Sequence, residues 1–398
     1  MKDGVTTRVL VAGHICLDII PAIPASSNAP DAFFRPGALV RVGDCSLAAG
    51  GPVSNTGLAL ERMGVPVELN ARLGDDEWGH VLVSRFTPEQ ARSLRLMEGS
   101  TSYTVVIAPP GADRMFLHHA GANDAYGVDD MPWDRFTELD LLHMGYPPMM
   151  RALYANEGAQ LVEIYRKAKE AGLTTSLDMA LPDPASEAGQ LDWRGILARV
   201  LPHVDFFLPS IEETAFMLNR SLFDARKRES KGEDPVYAYR AGDLHALSSE
   251  LLDMGAGLVA LKCGACGFFI RTADRARWLQ MGRAAQDLSP DWHDRELWAP
   301  AFHQETIASA TGSGDSSIAG LLAAVLREGA PELVIQCANS VGWQNLRGLD
   351  ALSGIDDWPT TRAMAEARGR TRNTLSLNDP AWVYDNEYEL FRGPADQP

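Results

Sequence analysis

Positive charge is scarce in this chain, with 36 Lys and Arg against 53 Asp and Glu and a formal charge of −17. That deficit argues against non-specific nucleic-acid binding and against an anionic membrane surface, because both need clustered cations. Nucleotide binding stays open, since helix N-termini and glycine loops hold phosphates with few side-chain charges. Long apolar runs are missing too. Ile318–Leu326 spans about nine residues, half of the ~18 needed to cross a membrane. The opening MKDGVTTRVLVAGHIC carries an acid at Asp3 and too short an apolar stretch for a signal peptide. Cysteine is thin and scattered: Cys16, Cys45, Cys263, Cys266 and Cys337 are odd in number and form no disulfide framework. The expectation is a cytoplasmic globular protein with no nucleic-acid or membrane partner.

What the chain does have is a rhythm. RVLVAG (8–13) is a buried-strand run, PVSNTGLALERMG (52–64) is a helix stopped by Gly64, and VELNARLG (67–74) is a strand. Downstream, strands at 140–145, 174–179, 204–208 and 258–263 alternate with helices near 157–171, 191–201, 211–218 and 243–254, then helices at 314–327 and 331–346. Such βα alternation means a mainly parallel sheet covered by helices on both faces. The segment 15–48 and the hairpin within 102–121 fall outside the rhythm and are assigned to a small β lid. The charged stretches 220–241 and 273–296 are assigned to surface insertions. Trp382, Tyr384, Tyr388 and Phe391 make the tail 366–398 too aromatic to hang free. It is expected to pack on the body of a 1–365 domain or on the second subunit of a homodimer.

SATGSGDSSIAGLLAAVL (309–326) carries the chemistry. Ile318, Leu321, Leu322 and Val325 share one helical face, so a helix starts near Ser313. Gly312 and Gly314 permit a tight turn, and the free N–H groups of Gly312, Ser313 and Gly314 could line an anion hole. Asp315 at its edge would then be a base for a hydroxyl attacking a phosphate. The segment alone leaves a second reading open, a plain helix cap. Cys263 and Cys266 lie between two strand-like runs, LVALK and GFFI, and have no second Cys or His pair to complete a zinc site. They read as a turn. His118 and His119 are neighbours on a strand, point to opposite faces and read as lid or surface histidines rather than a metal site.

These segments together resemble the ribokinase-like (PfkB) carbohydrate kinases. GSGD (312–315) is similar to the end of that family's D-T-x-G-A-G-D signature, and AAGGPVSNTGLALERMG (48–64) to its G-G-x-x-x-N helix. LGDDEWG (73–79) resembles its G-x-D-x-x-G, AGAN (120–123) its lid-end G-A-N, LPSIEE (208–213) its N-x-x-E and LKCGACG (261–267) its nucleotide loop. The order agrees from about residue 8 to 360. The resemblance implies a three-layer α/β/α domain with a β-sheet lid that moves the γ-phosphate of ATP to a sugar hydroxyl.

By the same resemblance Asp315 is the base, and the Gly312, Ser313 and Gly314 amides neutralise the transferred group. Asp18, Gly50, Gly51, Asn55 and Asn123 hold the sugar, Lys262, Gly264, Gly267 and Asn339 serve ATP, and Glu213 organises Mg²⁺. The opening GHICLD (13–18) resembles the ribokinase and fructokinase branch, which implies an unphosphorylated acceptor. Three departures stand out. Ser309 and Ala310 replace the signature's leading Asp-Thr, Ser210 replaces the asparagine of N-x-x-E, and Cys16 replaces a small polar residue. Ser309 removes the carboxylate that would help hold potassium, so a potassium requirement is in doubt. A nucleoside kinase of the same fold and a sugar-binding protein without turnover are the alternatives.

Overall fold

Val9–Gly13, Leu141–Gly145 and Thr174–Asp178 are buried at every position, as strands covered on both faces must be. Structure comes from a computed structural model that describes residues 6–24, 36–37, 39–108, 115–286 and 288–396. The main sheet runs, in spatial order, Ser93–Met97, Val67–Gly74, Val9–Gly13, Leu141–Gly145, Thr174–Asp178, Phe206–Phe207 and Leu258–Lys262, all parallel. It continues antiparallel through Phe268–Thr272, Glu296–Ala299, Leu390–Arg392 and Val383–Asp385.

Alternation along one strand separates the two faces. Leu10 and Ala12 join a core with the helices Trp193–Val200, Ile211–Leu218 and Ala241–Asp253. Val9 and Val11 join a second core with Pro52–Arg62, Ser313–Val325 and Pro331–Asn345. Helices therefore cover both faces, which is the three-layer architecture read from the sequence. A smaller sheet stands apart, ordered Cys45–Gly50, Cys16–Pro21, Tyr103–Ile107 and Met115–His119. Parts of the lid segments, 25–35, 38 and 109–114, lie outside the described residues. No helix among the described residues is long and apolar enough to cross a membrane.

The segment 273–296 is not wholly a surface excursion. Trp278 and Trp292 stack with ring centroids 5.6 Å apart and are 1% and 0% exposed. Two such rings bury roughly 150–250 Å² each, more than a solvated excursion would hide. Residues 220–241 divide: Arg220–Glu229 is a charged helix, but Phe223, Val236 and Tyr239 sink into the core. The tail adds Leu390–Arg392 to the sheet beside Glu296–Ala299, and Trp382 packs against Phe269 and Trp298.

Candidate active site

Four parallel strands end in Gly13, Gly145, Asp178 and Lys262, so their carboxyl ends open onto one crevice, the usual ligand position in such sheets. Helix Ser313–Val325 starts above it. Gly312 caps the helix at φ 75°, a left-handed turn that an L-residue adopts at a cost. The Ser313 N–H turns back to the Ala310 carbonyl at 3.2 Å, so it does not point into the hole with its neighbours. The N–H groups of Gly312, Gly314 and Asp315 have no partner among the described residues. Of the N–H groups read from the sequence as a set, Ser313 is thus the one that is spent on a local turn.

Asp315 is buried, and both carboxylate oxygens accept hydrogen bonds: Oδ2 from Asn55 Nδ2 at 2.9 Å and Oδ1 from the Tyr146 hydroxyl at 3.0 Å. Burial pushes its carboxyl above the usual range, and the Asn55 bond, Lys262 and the Tyr146 bond pull it back. Hydrogen bonds to a charged group are worth about 1.5–3 kcal/mol each, enough to offset part of the desolvation cost.

The acceptor side is set by strand register. Asp18 lies opposite Thr104, and Thr104 opposite His118, so the three side chains form a row across three strands. Thr104 Oγ1 meets His118 Nδ1 at 3.0 Å and donates to Cys16 Sγ at 3.5 Å, and Cys16 donates to Asp18 Oδ1 at 3.4 Å. A Cβ on Gly50 would lie 2.3 Å from Asp18 Oδ2, and one on Gly51 would lie 2.7 Å from His14 Nδ1. Burial raises Asp18 to about 6 and lowers His14 to about 3, with His118 adding to the latter. His118 lies exposed on the small sheet, with its ring centroid 5.2 Å from that of His14. Asn123 is fully buried and donates to the Ile15 carbonyl at 2.8 Å. His14 Nδ1 and Nε2, Asn55 Oδ1 and Asn123 Oδ1 are buried with no partner among the described residues. Buried polar atoms without partners are costly, and a polyhydroxyl ligand would supply what they lack.

On the far side of Asp315, the Lys262 ammonium pairs with Asp178 Oδ1, and its alkyl chain runs 3.3 Å from a Cβ built on Gly314. Burial opposes the charge on Lys262, but Asp178 and Glu213 more than compensate and keep it cationic. Glu213 caps its own helix: Oε2 accepts from the Ser210 N–H at 2.6 Å, while Ser210 Oγ accepts from the Glu213 N–H at 3.1 Å. Ser210 and Glu213 thus cap the helix reciprocally. Two residues expected on the nucleotide side also serve the fold. Asn339 spends its amide nitrogen on the Ala299 and Pro300 carbonyls at 3.1 and 3.3 Å, so it ties down a strand end. A Cβ on Gly267 would sit 2.0 Å from the Ala299 carbonyl, so packing already demands that glycine. A Cβ on Gly264, by contrast, would make only ordinary van der Waals contact with Val236 at 3.7 Å.

Residues 6–356 match the pfkB family of carbohydrate kinases, which covers the crevice and every residue named around it. The chain belongs to that family. As a PfkB kinase it is a phosphotransferase acting on an alcohol group of a carbohydrate. It is 24% identical over 345 residues to an ATP-dependent ribose-1-phosphate kinase of Halopiger xanaduensis, covering 84% of this chain and 90% of that protein. A fructokinase of Solanum tuberosum is 27% identical over 183 residues, 44% of this chain and 53% of the fructokinase. Among solved structures, Arabidopsis thaliana ribokinase complexed with ribose and ATP aligns with a TM-score of 0.65 at 14% identity, covering 91% of this chain and 99% of the ribokinase. A nucleoside kinase of Methanocaldococcus jannaschii aligns at 0.60 and 16% identity, covering 91% and 99%.

Tyr146, His14, Asp178 and Thr104 were not identified from the sequence. His14 stood inside GHICLD, and its position between Gly13 and Ile15 at a strand end was the available signal. Tyr146 and Asp178 carry no local signal, because only the sheet order brings their strand ends beside Asp315.

Proposed function

We propose that this kinase phosphorylates a hydroxyl of an unphosphorylated sugar, with Asp315 as the general base. The observation that carries the reading is the buried Asp315 carboxylate beside unpaired N–H groups of Gly312 and Gly314 at a helix N-terminus. The acceptor hydroxyl gives its proton to Asp315 as its oxygen bonds to the γ-phosphorus. The bond from that phosphorus to the bridging oxygen breaks, and ADP leaves with the electron pair. Little covalent work falls to the protein in such a loose transfer, so positioning and charge stabilisation dominate. Gly312, Gly314 and the helix dipole stabilise the charge on the moving phosphoryl group. Lys262, packed beside Gly314, adds a cation on the nucleotide side, and Gly264 lets the loop backbone approach the ATP phosphates.

On the acceptor side, Asp18 accepts from sugar hydroxyls, and His14, Asn55 and Asn123 offer their unpaired atoms. Asp18 is acidic and His14 is held neutral, so this wall provides hydrogen bonds rather than cations for an acceptor phosphate. Magnesium accompanies ATP in this reading. No three His, Cys, Asp or Glu side chains form a metal cage among the described residues, while Asp178 Oδ2 is buried and unpartnered. That donor set fits a hydrated ion held through waters by Asp178 and Glu213, supplying charge neutralisation on the phosphates. The small sheet carrying Asp18 and His118 acts as the lid over the acceptor.

The test is ADP formation from ATP with D-ribose, D-fructose, ribose 1-phosphate and a set of nucleosides. Stimulation of about 10-fold or more by an unphosphorylated sugar supports the reading. A response confined to nucleosides or to ribose 1-phosphate replaces the acceptor assignment, and no response to any acceptor favours a binding protein without turnover.

A further inference from the structure

Tyr146 belongs to none of the motifs, yet it touches the base. Its backbone is left-handed, with φ 65° and ψ 44°. That conformation is strained for a bulky residue and persists only where the surroundings impose it. Here they do. The Tyr146 N–H donates to the Asp178 carbonyl at 3.2 Å, its carbonyl accepts from the Met149 N–H at 2.9 Å, and buried Pro147 and Pro148 follow. The backbone turn carries the phenol away from the strand end and between two parts of the site. On one side is the His14 ring, with centroids 6.1 Å apart, and on the other is Asp315.

We propose that Tyr146 is a positioning residue for the base: together with Asn55 it clamps the Asp315 carboxylate and holds it ionised for the acceptor hydroxyl. This rests on the reading of Asp315 as base. Each carboxylate oxygen accepts two hydrogen bonds, so the phenol on Oδ1 leaves a lone pair for the acceptor. Two fixed donors on two different oxygens stop the carboxylate from rotating, and precise aim of a base is worth a large share of its rate. The charged and titratable groups facing Asp315 from the neighbouring strands and helices are Lys262, Asp178, Glu213, Asp18 and Cys16. Lys262 is the cation among them, and the carboxylates oppose a second negative charge. Donation from Tyr146 is one of the three interactions that pull the Asp315 carboxyl back down against burial.

The experiment is the pH dependence of kcat for Tyr146→Phe and Tyr146→Asn, beside wild type and Asp315→Asn. Phe keeps the ring and Asn tolerates the left-handed backbone, while both remove the phenol. In both variants kcat near neutral pH should fall about 10-fold, and the acid limb should move up by about one pH unit. KM for ATP and acceptor should stay within about 2-fold of wild type. A lower Tm with an unmoved acid limb in both variants would mean a structural role only and overturns the proposal. The Asp315→Asn control separates the two levels. If it turns over normally, the base assignment fails whatever Tyr146 does. If it is inactive while the Tyr146 variants keep the wild-type profile, the clamp alone fails.

Discussion

The crevice at the strand ends and the C-terminal edge of the same sheet are both rich in buried polar groups, and they treat them in opposite ways. At the edge, the Arg295 side chain is 2% exposed, and each guanidinium nitrogen has a partner: Asp396 Oδ1 at 2.7 Å, the Asp291 carbonyl at 2.8 Å and Glu332 Oε1 at 2.5 Å. Arg392 closes the cluster by donating to Asp385, Asp396 and Glu332. In the crevice, His14, Asn55, Asn123 and Asp178 keep buried atoms without partners among the described residues. Polarity that closes on itself holds a fold together. Polarity left open at the carboxyl ends of parallel strands is complementary to something that binds there.

The sharpest way to break that contrast is to unpair the closed cluster. Arg295→Met leaves Glu332 and Asp396 partly uncompensated and should cost about 3–5 kcal/mol of stability. Denaturant unfolding should show the loss, while KM for the acceptor stays unchanged in the folded fraction. A variant as stable as wild type would mean that the closed network carries no stability.

The complementary change is Asp18→Asn in the open region. It should raise KM for the acceptor by ~10–100-fold and leave unfolding unchanged or slightly improved, since a buried charge is removed. The same residue sets a pH dependence. Its carboxyl lies at about 6 in the folded protein, above the usual aspartate value. It is therefore ionised above that pH and neutral below it. Acceptor KM should rise as pH falls through 6, and Asp18→Asn should flatten that rise. An identical rise in the variant would assign the titration to another group.

The smallest effect concerns potassium. Ser309 stands where a carboxylate would be, and its hydroxyl accepts from the Thr311 N–H at 3.1 Å. With a neutral side chain engaged in a local turn, adding potassium chloride at constant ionic strength should change the rate by less than about 2-fold. A rise of about 10-fold would show that backbone carbonyls suffice for the ion.

Much of this arrangement was legible in the sequence, and what was hidden has a common cause. Strands such as Val9–Gly13 and helices such as Ser313–Val325 follow from apolar periodicity, which is local. Asp18, Gly50, Gly51, Asn55 and Asp315 were named from their motifs, and Asn55 does reach Asp315 across 260 residues of chain. His118 does lie exposed on the small sheet, but strand alternation tells only that two neighbours face apart, not which of them shares a row with Thr104 and Asp18. Tyr146 and Asp178 depend on strand order in the sheet, which no single segment encodes. Trp278 and Trp292 were placed at the surface because their flanking charges outweighed them, whereas pairing the two rings produced a buried stack. Asn339 and Gly267 suit a nucleotide site by residue type, yet their partners are the strand end at Ala299.

The central claim is that Asp315 removes the acceptor proton, and Asp315→Asn tests it with shape preserved. The measurement is single-turnover phosphoryl transfer at saturating acceptor and ATP, with ATP binding followed separately by equilibrium titration. The account requires the rate to fall by ~10²-fold or more while ATP affinity stays within about 3-fold. A rate within a few-fold of wild type would contradict it.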